Sequence, residues 1–148
     1  MTWIATWGGT GLIRPASGTW GTIGGLPFGI ILLVLGGPLA LAIALTLIIP
    51  LGLWASKEFE IMARDKDSSM IVIDEVAGLW IAMLPAAATP WSVFLAFILF
   101  RFFDVIKPYP VSWIDKKMHG AISVMGDDLM AGIYAALVLI GLQYVGLS

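Results

Sequence analysis

From Ile23 to Ala55 the chain carries no ionisable side chain, and no other feature restricts its fold as strongly. A helix crossing a bilayer needs about 20 apolar residues, so this stretch is too long for one crossing. Gly36-Gly37-Pro38 places a breaker near its middle. The run is read as two short spans, about Thr22 to Leu35 and Pro38 to Ala55, turning at that point. One long kinked helix is the alternative.

Composition supports a membrane class. Hydrophobic residues make up 59% of the 148 positions and charged residues 12%, with a mean hydropathy of +0.96. Soluble domains average roughly 45–50% apolar and 25% charged residues. The expectation is an all-α integral membrane helical bundle, with residues 1–148 forming a single domain. So small a bundle leaves room for homo-oligomerisation to enclose a site. A net charge of −2 without a basic stripe argues against nucleic acid as a partner. The absence of cysteine excludes a thiol nucleophile and thiolate metal sites, and a single histidine excludes a histidine-rich zinc site.

Further along, Lys57 to Ser69 is the most polar stretch, followed by an apolar run from Ile71 to Ala88 and a turn at Thr89-Pro90. The next run, Trp91 to Ile106, must stop near Lys107, because Pro108 has no N–H to donate to the Asp104 carbonyl. Tyr109 to Gly126 mixes apolar and basic residues, as an interfacial segment does. Leu129 to Leu147 reads as the last span. This makes about five apolar segments. With the polar stretch on the cytoplasmic side, every Lys and Arg except the embedded Arg101 falls on that face, in keeping with the positive-inside rule.

Three charge clusters then meet at one membrane boundary: Asp74-Glu75, Arg101-x-x-Asp104-x-x-Lys107 and Asp127-Asp128. Charge so close to hydrocarbon is costly and marks a candidate site. Carboxylate oxygens are hard ligands suited to Mg²⁺, which is commonly completed by phosphate oxygens and water. Asp74, Glu75, Asp104, Asp127 and Asp128 are therefore candidate metal ligands. The i, i+3, i+6 spacing of Arg101, Asp104 and Lys107 lets neighbours meet on one helix side, and the two cations suit a phosphate. Together these seven residues form the candidate catalytic set. Two of the clusters also have a structural reading, an internal salt bridge for Arg101 and Asp104 and helix caps for Asp127-Asp128, whereas Asp74-Glu75, flanked by apolar residues, favours function. Gly78 and Gly132 read as packing positions. Lys116 and Lys117 suit anionic headgroups. His119 suits surface hydrogen bonding as well as it suits acid–base chemistry.

Read in order, Gly9-Thr-Gly-Leu-Ile-Arg-Pro-Ala-Ser-Gly18-Thr19-Trp-Gly21-Thr22, Asp74-Glu75-x-x-Gly78, Arg101-x-x-Asp104-x-x-Lys107-Pro108-x-Pro110, Asp115, His119-Gly120 and Asp127-Asp128-x-x-Ala131-Gly132 resemble the phosphatidylglycerophosphatase A family. The resemblance covers nearly the whole chain. It departs at Ser17, where the family usually has proline before Gly-Thr. It implies a multi-pass protein of the bacterial inner membrane whose cytoplasm-facing site, with Mg²⁺, removes the terminal phosphate of phosphatidylglycerophosphate. Membrane lipids would surround it. Gly18 and Thr19 would contact phosphate through a backbone nest, and Arg101, Lys107 and His119 would complete the substrate contacts. The expected attacking group is a metal-activated water, with an aspartyl-phosphate as the alternative.

Two rival classes are weighed against this reading. An ion or proton pathway predicts acids spread through the membrane depth, whereas the middles of the runs are uncharged. A CDP-alcohol phosphotransferase needs an Asp-x-x-Asp-Gly-x-x-Ala-Arg signature, which the chain lacks.

Overall fold

The computed structural model describes residues 2–13, 16–63, 71–117 and 120–148, and among these every regular element is helical. In chain order they are α1 (Thr2–Ala5), a 3-10 turn (Thr10–Leu12), α2 (Ser17–Ala63), α3 (Ile73–Met83), α4 (Pro90–Ile106), α5 (Val111–Lys117) and α6 (Ala121–Tyr144).

The 47 residues of α2 do not form one rod. Gly37 leaves helical geometry at φ 63° and ψ −161°, a conformation open to a residue without Cβ. A straight helix would hold Gly21 and Gly52 about 46 Å apart. Instead, a Cβ on Gly21 would strike Val72, and one on Gly52 would meet its sequence neighbour Ile73 at 3.4 Å. The arms 17–36 and 38–63 therefore fold back on each other, as the Gly-Gly-Pro predicts. The second arm stays helical through Lys57 to Ala63, the start of the stretch expected to be a polar connection.

The first arm carries Gly18, Gly21, Gly25 and Gly29 on the face that meets α3. A Cβ at Gly25 would stand 2.8 Å from Val76, and one at Gly29 2.9 Å from Trp80. Small residues at such a seam let helices approach closely, which matters where packing rather than water exclusion drives association. The Trp80 indole then donates to the Gly25 carbonyl at 3.0 Å in a buried position.

Helix α3 is the centre of the bundle, with all its residues except Glu75 and Ile81 buried. It is also shorter than the Ile71 to Ala88 run suggests. Eleven residues extend about 16 Å, well below a bilayer's hydrocarbon thickness. The chain leaves the helix ahead of Pro85. Thr89 then caps α4 by accepting from the Ser92 amide at 3.3 Å, with Pro90 in the first turn. Helix α4 ends at Ile106 as expected, with Lys107 in the left-handed region at φ 48°.

Among the described residues, two helical stretches are long and apolar enough to cross a membrane, 17–59 and 122–144. The first contains the reversal at Gly37. At 11 residues α3 falls short of the usual crossing length, and α4, at 17, stands at its lower end.

The last helix begins at Ala121, not near Leu129. Gly120, at φ 82°, ends the preceding connection, and the buried Ser123 and Met125 hold the new helix against the bundle. Asp127 and Asp128 consequently lie well inside α6 and are not its caps. At the opposite end of the bundle, Gln143 donates to the Pro85 carbonyl at 2.6 Å, and the Trp91 indole donates to the Leu147 carbonyl at 3.1 Å.

Candidate active site

Three elements bring charge to one end of the bundle, the start of α3, the end of α4 and the first half of α6, and the first turns of α2 bring uncharged hydroxyls to the same end. Gly78 and Gly132 set the α3–α6 spacing. A Cβ on Gly132 would strike the Gly78 carbonyl, and one on Gly78 would lie 2.6 Å from the Asp128 carbonyl. Asp74 is one turn before Gly78, and Asp128 is one turn before Gly132. Close crossing at the glycines therefore sets the two aspartates side by side. Both are nearly sealed from solvent, at 2% and 5% exposure, as is Asp127 at 4%.

Arg101 is the hub. Its guanidinium pairs with Asp104 one turn on, as the i, i+3 spacing predicts. It also reaches Glu75 Oε2 at 3.6 Å and donates to Thr19 Oγ1 at 3.3 Å. These contacts join α4 to α3 and to the first arm of α2. With 21% of its side chain exposed, Arg101 remains accessible from outside. Glu75 Oε2 also accepts from Thr22 Oγ1 at 3.2 Å, while its carboxylate lies against Gly18, where any Cβ would collide with it.

Lys107 lies past the end of α4 and crosses to α6, where its ammonium meets Asp127 Oδ2 at 2.6 Å. The other Asp127 oxygen accepts from the Asp128 amide at 3.0 Å, and Asp74 Oδ1 accepts in the same way from the Glu75 amide. Asp74, Glu75, Asp104, Asp127 and Asp128 act electrostatically on one another across α3, α4 and α6. Uncompensated carboxylates in so dry a place would be strongly unfavourable. Among the described residues, the two cations paired with these carboxylates, Arg101 and Lys107, leave an excess of negative charge in the cluster.

The structure thus brings together all seven residues of the expected catalytic set, six on three helices and Lys107 at the C-cap of α4. Thr19 joins them through Arg101. Gly18 does so by close approach to Glu75. Gly18 and Thr19 do not form a separate loop nest, because both lie in the first helical turn of α2. His119 lies outside the described residues, as do Arg14, Arg64 and Lys66. Lys116 and Lys117 are exposed on α5. Thr22 was missed as a member of the site. Its signal was the Thr19/Thr22 spacing, which puts two hydroxyls on one helix side.

Residues 3–143 match the family model described as Phosphatidylglycerophosphatase A. A Haemophilus influenzae protein named phosphatidylglycerophosphatase A is 38% identical over 137 residues, covering 92% of this chain and 84% of the relative. An Escherichia coli protein of the same name is 31% identical over 132 residues, covering 88% and 76%. A Bacteroides thetaiotaomicron protein named putative phosphatidylinositol-3-phosphatase is 35% identical over 97 residues, covering 64% and 60%. No solved structure matches. With its apolar helical bundle, its charged end and a family match over almost its full length, the chain belongs to the phosphatidylglycerophosphatase A family of membrane-associated phosphatases.

Proposed function

We propose that the chain hydrolyses phosphatidylglycerophosphate to phosphatidylglycerol and inorganic phosphate in the bacterial inner membrane, as a multi-pass protein. In this reading the charged end faces the cytoplasm and Mg²⁺ is the cofactor. The observation that carries it is the junction of Arg101 with Glu75, Asp104 and Thr19, which gathers three helices around a partly accessible guanidinium. A planar guanidinium can grip two phosphate oxygens at once, and the Lys107 ammonium adds a point charge. Gly18, Thr19 and His119 complete the proposed substrate contacts.

The donor set fits a hard divalent ion. Among the described residues the five carboxylates outnumber the two cations paired with them, all the donors are oxygen, and Asp74, Glu75, Asp104, Asp127 and Asp128 are the residues that would hold it. Among the described residues no three acidic or histidine side chains converge as a ready-made cage. Mg²⁺ does not need one, since it is usually held by one or two carboxylates together with water and substrate phosphate. When bound, it supplies neutralisation of the charge on the phosphoryl oxygens.

The residues of the chain hold the phosphate in register while the acyl chains stay in hydrocarbon. Water adds to phosphorus, the bond to the glycerol oxygen breaks, and that oxygen takes up a proton. The test is release of inorganic phosphate by the purified protein from defined lipids in mixed micelles. Phosphatidylinositol 3-phosphate belongs among the substrates because of the Bacteroides relative's name. Expected are release from phosphatidylglycerophosphate, loss with EDTA and recovery with Mg²⁺. No release from any phosphomonoester lipid would overturn the hydrolase reading. Full activity after rigorous metal removal would overturn the metal.

A further inference from the structure

An apolar groove of about 500 Å³ runs between the first arm of α2 and helix α4. Ile23, Ile30 and Val34 line one wall, and Val93, Phe94 and Phe97 the other. Its upper end is in register with the charged site. Ile23 follows Thr19 by one helical turn and Phe97 precedes Arg101 by one turn, so the Thr19–Arg101 hydrogen bond at 3.3 Å stands over the mouth of the groove.

We infer that this groove holds one acyl chain of the phospholipid substrate while the phosphate meets Arg101 above it. The inference rests on the proposed lipid phosphatase activity and adds to it the place of the chain. Two further observations favour an acyl chain of an anionic lipid. The distance along the helix from Ile23 to Val34 is about 16 Å, close to half of the roughly 30 Å hydrocarbon thickness, the depth of one leaflet. The walls are apolar apart from Thr89 near the inner end, whereas the mouth carries a guanidinium. An amphiphile with an anionic head and a leaflet-deep tail matches both. Seating one chain would fix the lateral position of the lipid, so that its headgroup arrives oriented at the cations; orientation of this kind lowers the entropic part of a barrier.

The test combines labelling with turnover, using full-length protein in lipid nanodiscs. Phosphatidylglycerophosphate bearing a photoactivatable diazirine midway along one chain should crosslink to peptides covering 23–34 and 88–97. Excess unlabelled phosphatidylglycerophosphate should compete. The same probe on phosphatidylcholine should not label these peptides preferentially. In parallel, Ile30→Trp should fill the groove. It should lower the ratio of kcat/KM for the lipid to that for the chain-free headgroup phosphomonoester by about tenfold, near the low end of what one methylene is worth in an apolar pocket. Leu47→Trp, on the exposed outer face of the second arm, should leave that ratio at the wild-type value.

Equal labelling by phosphatidylcholine, or an unchanged ratio in Ile30→Trp, would overturn the groove as a substrate subsite and leave an ordinary lipid contact. Absence of phosphate release by the wild-type protein from either substrate is a different failure. It would remove the phosphatase reading and this inference with it.

Discussion

Gly132 of α6 packs directly on the carbonyl of Gly78 in α3, and each glycine sits one helical turn after a buried aspartate. The crossing therefore sets the distance between Asp128 and Asp74. Gly132→Ala should force the helices apart and destabilise the protein by about 1–3 kcal/mol, the usual cost of overpacking. Thermal unfolding in detergent checks the stability, and phosphate release checks the site. Wild-type values in both would show that the crossing tolerates a methyl group.

Replacement of Arg101 and Asp104 separates chemistry from charge balance. Arg101→Lys and Asp104→Asn should each keep the fold, yet lower kcat by about a hundredfold or more, the scale seen when an electrostatic contact to a transition state is lost. Lysine loses the fork and asparagine loses the charge. An apolar pair at both positions would be tolerated only if the ion pair is purely structural. Near-wild-type kcat in both single variants would return them to that role.

The Lys107–Asp127 pair joins the end of α4 to α6, and the Asp127 side chain is only 6% exposed. Lys107→Met should therefore destabilise the protein by about 3 kcal/mol, near the lower end for breaking a buried pair, because the Lys107 side chain is one-third exposed. The double variant Lys107→Met/Asp127→Leu should regain much of that stability without regaining activity. A double-mutant cycle on unfolding temperature, beside kcat, measures both.

Membrane orientation can be read chemically, since the chain has no cysteine. Ser68→Cys should react with an impermeant maleimide only after the cells are opened, and Ser148→Cys should react in intact cells. The basis is the one-sided distribution of Lys and Arg. Equal labelling of both from outside would contradict a cytoplasmic site.

The all-helical class, the reversal at Gly37 and the stop at Lys107 were legible in the sequence because each has a local cause. An uncharged run longer than one crossing needs a break, glycine accepts φ 63°, and Pro108 removes a donor. The Arg101–Asp104 contact was legible too, since the i, i+3 rule operates within one helix. Other features needed the tertiary structure. The start of α6 at Ala121 depends on burial of Ser123 and Met125 against its neighbours, so the acids that look like caps lie inside the helix. The partnership of Lys107 with Asp127, the reach of Thr19 and Thr22 into the site, and the position of the apolar groove beneath Arg101 all link residues far apart in the chain. Periodicity reports which face of a helix is apolar. It does not report which helix that face will meet, because that choice is made by shape, and here by glycines that let particular backbones come close.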